Sequence, residues 1–166
     1  MADWTTPTAI HSKCGETAPQ LATLSIDENT ATYWQHNVTC YHWIIFDMGA
    51  TKIITKIRFY DGSYWGGTYG LSVYVSDNPA DWGTPVWEGV RTGIGWVESD
   101  AFEKNGRYIK LVTKASVSAQ RFHEFDALVA GATHYKTVSE ILGLVDAKTY
   151  EYGCQKCKPS SVTVVF

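Results

Sequence analysis

The chain has 166 residues, which suits one domain of the common size of about 100 to 150 residues together with an additional segment. Hydrophobic residues make up 45% of the sequence and charged residues 19%, a balance that excludes an intrinsically disordered protein. The net charge of -3 gives no basic surface for nucleic acid, and no run approaches the about 18 apolar residues of a membrane-spanning helix.

Short strands are predicted from residue 41 to residue 129. Residues 41–48 are almost continuously β-branched or aromatic, as in an interior strand that ends at Gly49, and residues 52–60 alternate as a second strand. Further strands are predicted at residues 71–75, 85–90, 95–98, 107–113 and 122–129. The side chains predicted to face inward are Ile53, Ile57, Phe59, Leu71, Val73, Val75, Ile109, Leu111, Phe125, Ala127 and Val129. With an irregular lead-in at residues 2–23 and no amphipathic helix before Gly131, the pattern indicates an all-β sandwich or barrel.

The character of the sequence changes after Gly131. Residues 132–166 contain a possible short helix at 138–145, a Cys-x-x-Cys pair and a final apolar strand at 162–166. A piece shorter than about 40 residues rarely folds alone. We therefore predict a domain at residues 1–131 and a C-terminal extension at residues 132–166 that docks on this domain or on an assembly partner.

Four cysteines, at positions 14, 40, 154 and 157, leave three alternatives open. An even number permits one or two disulfides, free thiols, or a shared metal site. A zinc site at Cys154 and Cys157 would need a second pair of ligands, which Cys14 and Cys40 could supply only if the fold brought them to the tail.

The turn at residues 25–34 is dense in oxygen donors. Asp27, Asn29 and Thr32 lie within six residues and lead directly into Tyr33 and Trp34. Calcium takes six to eight oxygen ligands of these kinds. The alternative is an Asx-rich turn whose side chains bond their own backbone.

Several segments, in this order, resemble the discoidin family, also called the coagulation factor 5/8 type C domain, and within it the carbohydrate-binding modules of family 32. The matching segments are residues 26–34, 42–49, 53–58, 73–76, 106–111 and 124–127. The resemblance covers residues 19–131 and implies a discoidin-like jelly-roll β-sandwich. One departure is Glu28, which stands where the family usually has glycine, and a glutamate resists positive φ.

The resemblance also implies a structural calcium ion. In calcium-binding members the early turn provides ligands and a glutamate on the last strand completes the site. Carried over to this sequence, the predicted ligands are the side chains of Asp27, Thr32 and Glu124 and backbone carbonyls near Leu24 and Asn29.

A glycine-rich loop at residues 61–70 is the predicted ligand site. Stacking on a sugar ring requires a flat aromatic side chain with polar neighbours, and Trp65 is the predicted platform. The alternative is that Trp65 folds back over the sheet edge. The predicted ligand-binding residues are Trp65, Tyr64, Tyr69, Asp61, His36 and Arg121. Trp34, Trp43, Trp87, His42 and His123 are predicted to belong to the core.

No catalytic constellation is readable in the sequence, so we do not expect an enzyme. The leading hypothesis is a non-catalytic domain that binds surface or extracellular glycans. The alternative is a structural or decorating subunit of a virion, tail or surface filament, joined through residues 132–166 as a homo-oligomer or to a partner. Either role predicts an extracellular or particle-surface location, although residues 1–7 lack the basic and apolar regions of a signal peptide.

Overall fold

The computed structural model describes residues 3–62, 70–90 and 94–131, which form ten β-strands and one short 3-10 helix, Ala22–Ser25. The strands are β1 (Asp3–Thr5), β2 (Ala9–Lys13), β3 (Trp34–His36), β4 (Trp43–Asp61), β5 (Gly70–Ser76), β6 (Trp87–Val90), β7 (Gly95–Glu98), β8 (Lys104–Thr113), β9 (Gln120–Phe122) and β10 (Glu124–Val129). The all-β prediction is therefore confirmed for this part of the chain.

The chain divides into two units, Met1–Ala132 and Thr133–Phe166, and the described residues all belong to the first unit. The predicted extension at residues 132–166, with its helix at 138–145 and its assembly role, lies outside the described residues. Within the described ranges, no helix has the length and apolar character needed to cross a membrane.

Strand β4 is the centre of the architecture. The main antiparallel sheet has the order β1-β10-β4-β8-β5-β6, with β2 and β7 also paired to β4, and β3 pairs with β9 in a second, two-stranded sheet. The first half of β4 pairs with β2 and β8, whereas its second half pairs with β10 and β7. Phe46 from the first half and Phe125 from β10 stack at 4.1 Å with an interplanar angle of 5°. The curled sheet thus encloses its own apolar core.

The prediction of two strands separated at Gly49 is wrong, because β4 continues through this position. Gly49 has φ +79° and lies in a register shift against β8, and a second shift against β10 occurs near Ile54. Each added residue changes the face that the following side chains use. Ile54 is consequently fully buried and Ile53, predicted to face inward, is 42% exposed.

Most of the other predicted inward faces are confirmed. Among the predicted residues, those at most 1% exposed are Ile57, Phe59, Leu71, Val73, Val75, Ile109, Leu111, Phe125 and Ala127. Trp34 is also fully buried, whereas Trp43 and Trp87 are half-buried. The predicted strand at residues 122–129 is interrupted at His123, where β9 leaves to pair with β3.

The irregular lead-in predicted for residues 2–23 is partly wrong, because it contains β1 and β2. Strand β1 pairs with β10, and β2 pairs with the first half of β4. Neither strand has a strong apolar alternation. Their burial depends on pairing with strands far along the chain, which a local pattern does not show.

Candidate ligand cleft and metal clusters

The polar turn after the 3-10 helix gathers oxygen atoms around Asp27. The Thr32 hydroxyl oxygen lies 2.9 and 2.8 Å from the two carboxylate oxygens of Asp27 and 2.8 Å from the carbonyl oxygen of Asn29. The backbone N–H of Asn29 donates to Asp27 Oδ1 at 3.2 Å and to Glu124 Oε2 at 3.1 Å. The structure therefore brings Asp27 and Glu124 to one amide. Leu24, the other predicted ligand, lies in the preceding 3-10 helix.

The same turn also contains the local hydrogen bonds expected of an Asx-rich turn, the alternative to a calcium site. Asn29 N–H bonds to Asp27 two residues earlier, and Ala31 N–H donates to the side-chain oxygen of Asn29 at 3.0 Å. Both are Asx turns, which order the segment without an ion. Glu28 has φ +60°, so the backbone keeps the left-handed conformation that glycine would favour, despite the cost for a residue with a side chain.

Glu124 begins β10 and is only 3% exposed. Burial raises the pKa of its carboxyl to about 7, and the neighbouring carboxylates of Asp126 and Asp27 add to this rise. Among the described residues, no lysine or arginine forms an ion pair with Glu124. The approach of the Asp27 and Glu124 carboxyl groups is therefore electrostatically unfavourable, and a cation would relieve it.

A cleft of about 270 Å³ opens beside the turn. Its lining includes Trp4, Arg58 and Trp96 from three strands and Glu28 from the turn. The guanidinium carbon of Arg58 lies 4.5 Å from the ring centroid of Trp4 and 4.2 Å from that of Trp96. Arg58 also pairs with Asp126 at 2.8 Å, while Trp96 remains 39% exposed. The cleft thus presents a flat ring next to charged groups that are held in place.

A row of rings connects this cleft with the start of the glycine-rich loop. Tyr60 packs edge-on against Trp96 at 5.5 Å and against His123 at 6.0 Å, and His123 lies 5.0 Å from Tyr33. Gly62 is so close to His123 that a Cβ there would lie 2.3 to 2.5 Å from three ring atoms. Gly62, the last described residue before residues 63–69, therefore lies directly beside the imidazole.

The structure describes three of the six predicted ligand-binding residues, namely Asp61, Arg121 and His36. Tyr64, Trp65 and Tyr69 lie outside the described residues. Asp61 is described and is only 5% exposed at the end of β4.

Arg121 is half-buried, and two of its contacts lie within the described part of the chain. It donates from Nε to Gln35 Oε1 at 2.8 Å, and its guanidinium carbon lies 4.7 Å from the ring centroid of Tyr33. Arg121 therefore adjoins the row of rings.

The structure places His36, a predicted ligand-binding residue, among buried side chains. His36 is 8% exposed, and its Nδ1 atom lies 3.2 Å from Cys14 Sγ and 3.3 Å from Nδ1 of His42. Cys40 completes the group, with its Sγ 3.9 Å from His36 and 3.8 Å from His42. The ring is directed into a Cys/His cluster because β3 places it behind the surface.

Cys14 and Cys40 are free thiols in the structure. Burial raises the pKa of the Cys14 thiol and lowers the pKa values of both imidazoles. Cys154 and Cys157 lie outside the described residues. In the described part of the chain, the partners of Cys14 and Cys40 are therefore two histidines rather than a second cysteine pair.

Sequence reasoning missed the cluster and the cleft for different reasons. His36, Cys40 and His42 lie within seven residues, a spacing that could have been recognised as a partial metal motif. His42 was predicted as a core histidine, and it is fully buried, but its chemical neighbours were not foreseen. Trp4 and Trp96 had no local signal, since they are brought together by the pairing of β1 and β7 with other strands.

Three solved structures share the fold at low sequence identity. The C-terminal domain of a chitobiase from Bacteroides fragilis is 20% identical with a TM-score of 0.68, covering 77% of this chain and 98% of that one. The family 32 carbohydrate-binding module of AlyQ, in complex with 4,5-unsaturated mannuronic acid, is 20% identical with a TM-score of 0.63 and covers 75% and 97%. The family 32 module of NanJ from Clostridium perfringens, in complex with galactose, is 16% identical with a TM-score of 0.61 and covers 75% and 93%.

These similarities establish the discoidin-like β-sandwich. No curated relative matches the sequence. The sequence model described as the F5/8 type C domain matches residues 8–125, which is more than half of the chain and includes both the polar turn and Glu124. The chain therefore belongs to the F5/8 type C domain family.

Proposed function

We propose that this F5/8 type C domain is a non-catalytic carbohydrate-binding domain that recognises glycans at an extracellular or particle surface. The observation that carries the proposal is the cleft in which the exposed ring of Trp96 lies beside Arg58 and carboxyl groups of the turn and of β10. Support comes from the family and from two structures of the same fold that hold a sugar, the modules of AlyQ and NanJ.

The cleft has the physical properties that a sugar requires. An aromatic face carries partial negative charge and packs against the C–H groups on the apolar face of a pyranose ring. The side chains around it must then orient the hydroxyl groups, and this demands donors and acceptors that do not move. Arg58 meets the demand because two rings and Asp126 hold its guanidinium group.

The predicted loop platform at Trp65 belongs to the same proposal. Residues 63–69 follow Gly62, which lies beside His123, and the row of rings links Gly62 to Trp96. We infer that Trp65, Tyr64 and Tyr69 extend the surface that begins in the cleft, with Asp61 and Arg121 at its base.

Glycan-array screening of the full chain, followed by calorimetry with the best ligand, tests the proposal. We expect Trp96→Ala and Trp65→Ala each to weaken binding at least tenfold, equivalent to about 1.4 kcal/mol. Tyr41→Ala is the matched control, because Tyr41 is 59% exposed and precedes the opposite end of β4. Unchanged binding in both tryptophan variants would refute this location, and no binding to any glycan would refute the function.

We also propose that the polar turn and Glu124 bind a structural calcium ion. The donor set fits, because carboxylate oxygens of Asp27 and the carbonyl oxygen of Asn29 each lie within 2.9 Å of the Thr32 hydroxyl oxygen. Glu124 approaches the same turn as a buried carboxyl group without a basic partner among the described residues. The Leu24 carbonyl is the remaining proposed ligand. Bound calcium would connect the turn to β10 and so fix one wall of the cleft.

Thermal unfolding with and without calcium tests the second proposal. We expect calcium to raise the Tm of the wild-type protein, and we expect Asp27→Asn to remove most of this rise. Asp77→Asn is the matched control, since Asp77 is an exposed carboxylate that accepts a hydrogen bond from Thr51 in another part of the sheet. Equal calcium responses in both variants would show that the ion binds elsewhere.

A further inference from the structure

Four potential metal ligands from separate parts of the chain converge near the start of β4. Cys14 follows β2, His36 ends β3, and Cys40 and His42 precede β4. The four ligand atoms all lie within 4.8 Å of one another. Backbone bonds hold these segments together, since Cys14 N–H donates to the Trp43 carbonyl at 3.0 Å and Cys40 forms a two-bond bridge with Val117.

Five of the six interatomic distances are close to the edges of a tetrahedron around one ion, and all six are within 4.8 Å. Zinc bonds of about 2.3 Å to sulfur and 2.0 to 2.1 Å to nitrogen give sulfur–nitrogen edges of about 3.6 Å and a nitrogen–nitrogen edge of about 3.3 Å. The four sulfur–nitrogen distances are 3.2, 4.0, 3.9 and 3.8 Å, and the two Nδ1 atoms are 3.3 Å apart. A small adjustment of the Cys40 and His42 side chains would make the set regular.

The surrounding groups orient the ligands as they do around bound zinc. His42 Nε2 lies 2.9 Å from the Val117 carbonyl oxygen, so this nitrogen carries the hydrogen and Nδ1 presents its lone pair to the cluster. The backbone N–H of Trp43 points at Cys14 Sγ at 3.4 Å, a contact that stabilises a thiolate. Gly15 lies against His36, where a Cβ would come within 2.5 Å of Nε2.

We propose that Cys14, His36, Cys40 and His42 bind one zinc ion. Two thiolates and two neutral imidazoles form the set that zinc prefers in structural sites. Binding releases one proton from each thiol, and the two negative charges then balance the ion, so the buried complex is neutral. All four positions are filled by protein, which leaves none for a reacting water, so the ion is structural. It joins the residue after β2, the end of β3 and the segment that precedes β4.

Cobalt(II) is the probe, because thiolate ligation gives it charge-transfer absorption and tetrahedral geometry gives it strong visible absorption. Titration into the reduced, metal-free full chain should produce both signals at one equivalent, and zinc should displace them. Cys14→Ser/Cys40→Ser should weaken binding at least 100-fold. The matched control is Cys154→Ser/Cys157→Ser, which should retain the wild-type spectrum.

Three results would overturn the proposal. The first is a cobalt spectrum that disappears with the tail cysteines and persists without Cys14 and Cys40. The second is a wild-type protein that shows no thiolate-to-cobalt absorption. The third is a Cys154→Ser/Cys157→Ser protein that contains no free thiol, which would mean that Cys14 and Cys40 form a disulfide.

X-ray absorption of the zinc-loaded wild-type protein keeps the test valid if the variants do not fold. The proposal requires two sulfur ligands at about 2.3 Å and two nitrogen ligands at about 2.0 Å. Four sulfur ligands, or ligands that are all oxygen and nitrogen, would contradict it.

Discussion

Two polar clusters of this domain make the same kind of connection with different donor atoms. The oxygen cluster joins the turn of Asp27 to Glu124 on β10, and the Cys/His cluster joins the end of β2 to β3 and the start of β4. Hard oxygen ligands suit calcium, whereas thiolates and imidazoles suit zinc. The comparison teaches that donor chemistry, rather than the shared β-sandwich, decides which ion each connection can use.

The two clusters also differ in charge. The oxygen cluster brings together carboxyl groups that repel one another when ionised, and burial raises the pKa of Glu124 to about 7. The Cys/His cluster is uncharged in its protonated form and remains neutral after zinc replaces two protons. We therefore expect calcium binding to depend on pH around neutrality. We expect the removal of zinc to lower stability more than the removal of calcium does.

Removal of zinc from the wild-type protein is expected to have the largest effect on the stability of the folded state. An ion present at about 1,000 times its Kd stabilises the folded state by about 4 kcal/mol, so its removal should lower Tm by about 10 °C. Scanning calorimetry after treatment with a zinc-selective chelator measures this change. Calcium should not restore the lost stability, and a full recovery with calcium alone would mean that the two sites are not distinct.

The second expected effect is a dependence of stability on pH that arises at the oxygen cluster. The pKa of Glu124 in the folded state lies above the ordinary value of 4.5, so its contribution to stability is present below pH 4.5 and is lost as pH rises through 7. At about 1.4 kcal/mol per pKa unit, the loss without calcium is at most about 3.5 kcal/mol. Calcium stabilises the ionised carboxylate and should therefore raise Tm more at pH 8 than at pH 5.5.

Glu124→Gln is the control for that measurement. The amide does not ionise, so the variant should lack this pH-dependent loss and should bind calcium at least tenfold more weakly. A calcium-induced rise in Tm that is the same at both pH values in the wild-type protein would contradict the involvement of Glu124.

A single methyl group added at Gly15 should affect the Cys/His cluster and leave the oxygen cluster unchanged. Gly15→Ala places a Cβ 2.5 Å from His36 Nε2, so the imidazole must turn away, and cobalt affinity should fall about tenfold, as it does when a ligand loses its orientation. The control is Gly83→Ala, where φ is +57° and a Cβ would meet no atom within 4 Å, so the change strains the backbone without touching the cluster. Calcium binding should be unchanged in both variants, and unchanged cobalt affinity in Gly15→Ala would contradict the role of His36.

The smallest effect is expected at Glu28. Its φ of +60° is unfavourable for a residue with a side chain, so Glu28→Gly removes strain but adds freedom to the unfolded chain. We expect a gain of at most about 1 kcal/mol in the free energy of unfolding. Glu28→Val, with a β-branched side chain, should lose about 1 to 2 kcal/mol by the same reasoning. Equal stabilities of the two variants, measured by denaturant unfolding, would argue against strain at this position.

Part of the site could be predicted because its signal is local. Asp27, Asn29 and Thr32 lie within six residues, and the family pattern adds Glu124, which the structure places against the same turn. The sequence did not predict the surroundings of His36. His36 belongs to the Cys/His cluster instead, because a position near the turn in sequence does not determine which way β3 turns the ring.

The sequence by itself determined the strand faces in which alternation is uninterrupted. Leu71, Val73 and Val75 in β5, and Ile109 and Leu111 in β8, are all buried as predicted, because a period of two is a property of neighbouring residues. The sequence also determined the family, since its motifs are short segments in a defined order.

Only the tertiary structure decided the features that depend on pairing between distant strands. Register shifts against β8 and β10 made β4 one strand and buried Ile54 in place of Ile53. The approach of Cys14 to His36 and His42, and of Trp4 to Trp96, likewise follows from the sheet order. Such contacts depend on how strands are registered and how the sheet curls, and no short window of the sequence contains that information.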